Sequence, residues 1–117
     1  MSRSWPLFLQ DIIKRAKKVR RYTEGLDLKS FVDNDIVYDA VLRNLEIIGE
    51  AAKKIPPEIR DRYPQVDWRG ISGLRDVLAH AYFGLDDETL WDVVQNKVPQ
   101  LISTLDAILY QGDINAE

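Results

Sequence analysis

Apolar residues recur every three or four positions along most of this chain, the period of a helix that buries one face. Phe8, Leu9, Ile12, Ala16 and Val19 form the first stripe and predict a helix from about Trp5 to Tyr22. Ser4 is its expected N-cap, Pro6 is tolerated in the first turn, and Gly25 lies just past the end. A short turn is expected over Leu28 to Val32, capped by Asp27. Val37, Ala40, Val41, Leu45, Ile48, Ala52 and Ile55 mark a second long helix from about Asp35 to Lys54, with Asp39, Arg43, Glu46 and Glu50 on another face. Gly49 in its middle costs about 1 kcal/mol against alanine, which points to a close approach there. Pro56-Pro57 ends that helix, and Glu58 to Tyr63 predict one more turn before Pro64. Asp67 caps a segment that begins at Trp68 and is broken at Phe83-Gly84. Asp86, Asp87 and Glu88 open the last helical region with charges suited to a helix N-terminus. Leu90, Trp91, Val94, Val98, Leu101, Leu105, Ile108 and Leu109 are its buried side, and Pro99 should kink or divide it. No stretch alternates as a strand would. The pattern predicts an all-α antiparallel bundle of four or five helices in a single domain, residues 1–117.

Composition agrees with a packed core: 45% of residues are hydrophobic and 30% charged. The absence of cysteine excludes disulfides, thiolate metal sites and a cysteine nucleophile. One histidine, His80, is too few for an ordinary zinc site, so neither a metal nor another cofactor is expected. No apolar run approaches the ~18 residues that span a bilayer, and Met1 to Pro6 lacks the features of a secretory signal. The expectation is a cytoplasmic protein with no membrane partner. Net charge is −3, unlike a typical nucleic-acid binder, but Lys14, Arg15, Lys17, Lys18, Arg20 and Arg21 crowd one segment. Any contact with RNA would use such a local patch, with Lys14, Lys17, Lys18, Arg21 and Arg43 as the candidate backbone contacts.

The chemistry concentrates in Arg75-Asp76-Val77-Leu78-Ala79-His80-Ala81-Tyr82. An imidazole titrates near neutrality and moves protons, while a guanidinium holds a phosphate or a developing phosphorane. Tyr82 adds a hydroxyl beside them. Five residues along an α-helix turn by about 140°, so Arg75 and His80 would not share a face; seven nearly complete two turns, so Arg75 and Tyr82 would. Either the helix loosens near His80, or a second copy of the chain supplies the partner residue. The second arrangement is preferred, because one Arg and one His per chain are thin for an active site.

The phrase from Gly73 to Gly84 resembles the Arg-x4-His-x-Tyr signature of HepT-like HEPN proteins. Arg43 to Ala52 is similar to that family's second long helix, and Tyr63-Pro64, Trp68, Trp91 and Leu101 after Pro99 fit its layout. The resemblance covers nearly the whole chain in order. It implies a helical bundle that dimerises with Arg and His facing a shared cleft, and metal-independent endoribonuclease cleavage by the ribose 2′-hydroxyl. Carried over, His80 would be the general acid or base, and Arg75 would stabilise the phosphorane. Asp76 stands where the family prefers a polar residue, often Asn, and its charge could orient Arg75 or His80. The resemblance also implies a toxin paired with a minimal nucleotidyltransferase antitoxin, which neutralises it by transferring AMP to Tyr82. A homodimer is expected, with a larger toxin–antitoxin complex as a further possibility.

Simpler readings stand beside these. His80 alone could be a helix-terminal histidine, Arg75 an ion-pair partner of Glu46 or Glu50, and Tyr82 a half-buried amphipathic side chain. The basic run could be a solvated face, and Arg43, Glu46 and Glu50 could bind one another across a helix turn. Two other functions compete with the ribonuclease. One is a non-catalytic helical module serving a nucleotidyltransferase; the other is an antitoxin-like regulatory binder. A pure scaffold would not need the Arg-x4-His-x-Tyr spacing.

Overall fold

The computed structural model describes residues 4–84 and 86–110. Among them every regular element is helical: α1 (Trp5–Thr23), α2 (Leu28–Asp33), α3 (Asp35–Lys53), α4 (Pro57–Arg62), α5 (Trp68–Ser72), α6 (Leu74–Tyr82), α7 (Asp87–Asp92) and α8 (Val98–Tyr110). A π-helical turn, Val93–Lys97, joins α7 to α8. Three long rods, α1, α3 and the α7–α8 unit, form the frame, with α6 packed on α3 and α7. The other short helices turn the chain between them. This is the all-α bundle expected from the apolar pattern.

The stripes lie where their period puts them. Leu9, Ile12, Ala16 and Val19 of α1 are buried against Val41, Leu45 and Ile48 of α3, and Val98, Leu105 and Ile108 of α8 close the same core. α1 and α3 run antiparallel, with the Arg15 guanidinium donating to Asn44 Oδ1 at 3.3 Å across their middles. Asn44 is buried, and its amide also donates to the Ala40 carbonyl at 2.8 Å, so both ends of the side chain are satisfied. The three tryptophans sit partly buried at the rim of the core. No helix of the described residues is long and apolar enough to cross a membrane.

Local signals set the helix boundaries, with instructive departures. Asp27 and Ser30 form a reciprocal capping box at the start of α2, and Asp67 accepts from the Gly70 amide at 2.9 Å to start α5. Ser4 occupies the N-cap of α1, but its side chain caps nothing. A cap hydroxyl serves the second or third amide of a helix; here the second residue is Pro6, with no N–H, and the Leu7 amide is taken by the Ser4 carbonyl at 3.2 Å. The segment expected to run unbroken from Trp68 divides at Gly73, which ends α5 and starts α6. Gly70 and Gly73 within one turn weaken the helix there. Pro99 does divide the last region: the π turn immediately before it, closed by the Val98 amide donating to the Val93 carbonyl, widens the backbone where the proline ring would crowd the preceding turn.

Candidate active site

The Arg75–Tyr82 stretch is α6, one uninterrupted α-helix that buries Leu74, Leu78 and Ala81 and exposes Arg75, Asp76, Ala79, His80 and Tyr82. The helix does not loosen near His80. Its last turn tightens instead, with the Phe83 amide donating three residues back to the His80 carbonyl at 3.2 Å and the Gly84 amide to the Ala81 carbonyl at 2.9 Å. Gly84 then adopts φ 66°, the left-handed conformation that ends a helix and that glycine takes without a Cβ penalty. The regular helix therefore sets Arg75 and His80 about 140° apart around its axis.

Arg75 and Tyr82 share a cleft of about 400 Å³ between α3 and α6, as their seven-residue spacing requires. Its α3 wall is Leu45, Glu46, Gly49, Glu50 and Lys53, and Ser72 and Ala79 add small side chains to the opposite wall. Nothing lies within 4 Å of where a Gly49 Cβ would stand. The close approach expected at Gly49 does not come from the chain's own packing; the missing side chain instead leaves the cleft open. Tyr82 is 61% exposed and Phe83 78% exposed, so both aromatic rings stand at the surface.

The acids beside Arg75 are occupied elsewhere. Glu46 pairs with Arg43 at 3.4 Å and Glu50 with Lys53 at 3.3 Å, both within α3 and both exposed. Such pairs are worth at most about 1 kcal/mol, so they hold these side chains only loosely. No ion pair joins Arg75 to Glu46 or Glu50 among the described residues, which leaves the guanidinium free within the cleft.

His80 lies outside that cleft, near enough to the start of α7 to attract the Asp86 carboxylate. There the Asp86 carboxylate accepts from the Thr89 hydroxyl at 2.6 Å and the Thr89 amide at 3.0 Å. Those two bonds hold its carboxyl below the ordinary range, and the His80 imidazole adds a smaller attraction. Asp76 is exposed in the first turn of α6, one position from Arg75.

The basic residues are dispersed. Lys17 pairs with Asp106 of α8 at 3.3 Å, and the Arg21 guanidinium lies 5.4 Å from the centre of the Tyr22 ring. Lys14 is exposed and Lys18 partly so. Arg43 faces a separate groove between α1 and α3, lined also by Phe8, Asp11 and Ile47. Glu46 and Glu50 border both grooves and form the ridge that separates Arg43 from Arg75.

Tyr38 is the contact the sequence did not disclose. From α3 its hydroxyl approaches Asp87 Oδ1 at 2.6 Å and the Ala81 carbonyl at 3.2 Å, joining the end of α6 to the beginning of α7. Burial, with the Asp87 carboxylate second, raises the phenol above its ordinary pKa, so it remains a donor. The partners lie 43 and 49 positions away, beyond the reach of any local pattern.

A family model described as "Ribonuclease HepT-like" matches residues 12–108. A Methanocaldococcus jannaschii protein named "Putative RNase" is 41% identical over 110 residues, covering 94% of this chain and 89% of its own length. Another from the same organism, with the same description, is 42% identical over 94 residues, 80% of this chain and 86% of that protein. The Thermococcus cleftensis protein named "Probable ribonuclease HepT" is 38% identical over 101 residues, covering 86% of this chain and 92% of that protein. No solved structure matches.

Proposed function

Since this chain belongs to the HepT-like ribonuclease family, we propose that it is an endoribonuclease of toxin type whose site pairs Arg75 with His80. The observation that carries this reading is the exposed face of α6, where a free guanidinium and the only imidazole of the chain stand on one short helix. In the reaction, the ribose 2′-oxygen forms a bond to the adjacent phosphorus and the bond to the 5′-oxygen breaks. Two protons move: His80 takes that of the 2′-hydroxyl or supplies that of the leaving 5′-oxygen, water exchanges the other, and Arg75 stabilises the charge that builds on the phosphorane. Asp76 orients one of the two. RNA crosses α6 with its backbone led by Lys14 and Lys18, and more weakly by Lys17, Arg21 and Arg43, whose charges are shared with neighbours.

No metal enters this chemistry, which sets the test. The purified chain in excess chelator should cut RNA into fragments ending in a 2′,3′-cyclic phosphate and a 5′-hydroxyl. RNA left intact, or fragments ending in a 3′-hydroxyl and 5′-phosphate, would overturn the reading. Intact RNA would favour a non-catalytic module instead.

The same reading makes Tyr82 the control point and a minimal nucleotidyltransferase the antitoxin. Tyr82 is accessible enough to be a substrate, and it lies in the cleft with Arg75. An adenylyl group on its oxygen would place bulk and negative charge beside that guanidinium and repel RNA. Co-expression with the nucleotidyltransferase should add the mass of an adenylyl group to the Tyr82 peptide and relieve growth arrest. An unmodified Tyr82 peptide from relieved cells would remove this part of the proposal.

A further inference from the structure

We propose that Tyr38 is a positioning residue for the ribonuclease site: its hydroxyl, held between the Ala81 carbonyl and the Asp87 carboxylate, locks the His80–Tyr82 end of α6 to the start of α7. The inference rests on the assignment of His80 made above.

The need for such a lock follows from where His80 sits. It lies in the last turn of a nine-residue helix, closed by bonds that reach three residues back, where the backbone frays most readily. Beyond Tyr82 the chain leaves through Phe83 and Gly84, and glycine gives that exit little stiffness of its own. An imidazole that must meet a ribose hydroxyl within a fraction of an ångström is poorly served by a frayed end. Tyr38 reaches this turn from α3, a rod of 19 residues anchored along the core.

The phenol is well prepared for the task. Its ring packs on Phe31 at 5.2 Å, and Phe31 in turn packs on Trp91 at 4.9 Å, so the hydroxyl is aimed by a rigid aromatic group. It has one proton. The 2.6 Å approach to Asp87 is the stronger, charge-assisted bond, and the Ala81 carbonyl at 3.2 Å takes the weaker share. Ring packing alone would be met as well by phenylalanine. The polar end therefore serves the junction of α6 with α7 rather than the filling of the core.

Steady-state cleavage of a fluorogenic RNA oligonucleotide by the full chain tests this. Tyr38→Phe keeps the ring and should lower kcat about tenfold with KM within twofold, read at a temperature where circular dichroism shows the variant fully folded. Asp87→Asn keeps an oxygen that accepts from Tyr38 and should hold kcat within about threefold of the parent. Asp87→Ala alone should also lower kcat, and the Tyr38→Phe/Asp87→Ala double variant should be no slower than the slower of its two singles, because the Tyr38–Asp87 bond is lost in each. A purely structural role would lower the melting temperature and leave kcat unchanged below it, and that outcome overturns the proposal. So would losses that multiply in the double variant, or an Asp87→Asn loss as large as that of Tyr38→Phe. His80→Ala is the control: if that variant stays active, the underlying assignment falls. If it is inert while Tyr38→Phe is unimpaired, only the positioning role falls.

Discussion

His80→Ala is expected to abolish RNA cleavage, with a rate loss of about 10²–10⁴-fold, and to let cells expressing the chain grow. Loss of a proton-transfer group removes an interaction made in the transition state, so kcat should fall while KM stays near its original value. The side chain is exposed on α6 and makes no core contact, so the melting temperature should stay within a degree or two. That separation gives the experiment its force. If the variant still cuts RNA or arrests growth, His80 is not the acid–base group, and no other imidazole exists in the chain to take its place. A variant that is inert only because it unfolds would show itself in the melting curve.

How far the sequence disclosed this site depends on the distance over which each signal acts. The apolar stripes of α1 and α3 were legible because a helix repeats every 3.6 residues, and the caps at Asp27 and Asp67 because a cap is settled within three residues. Ser4 failed as a side-chain cap through Pro6, two positions on, a local effect that the cap preference alone does not convey. The pairing of Arg75 with Tyr82 in one cleft followed from seven-residue spacing and helical period. The division at Gly73 and the π turn before Pro99 were harder. Both concern how a helix yields locally, where tertiary packing outweighs the weak propensities of single residues. The ridge of Glu46 and Glu50 between Arg43 and Arg75 required knowing which helices flank α3. Tyr38 was hidden most completely: its polar partners come from α6 and α7, and nothing near position 38 distinguishes it from an ordinary aromatic of the core edge.

The same helical geometry that parts Arg75 from His80 yields the other large expected effect. If one chain held a complete site, the two side chains would have to reach around α6 toward one another, yet Arg75 lies in the cleft with α3 and His80 lies outside it. A second copy removes the difficulty. The outer face of α6 is exposed at Arg75, Asp76, Ala79 and His80, and Ala79 is small enough to allow close approach. An antiparallel crossing of two α6 helices about a twofold axis midway between positions 77 and 78 would set each Arg75 across from the other copy's His80, with Asp76 across from Ala79. Each site would then draw one residue from each copy. Arg75→Ala and His80→Ala homodimers should both be inert, whereas the heterodimer of the two variants should regain about half the parental activity. One of its sites combines both intact residues, and the other combines both alanines. Co-expression with two different tags and sequential purification isolates that heterodimer, so activity can be measured against the parent at equal protein. An inert heterodimer, or a parent chain that light scattering shows to be monomeric while it cleaves RNA, would place Arg75 and His80 in the same copy and refute the shared site.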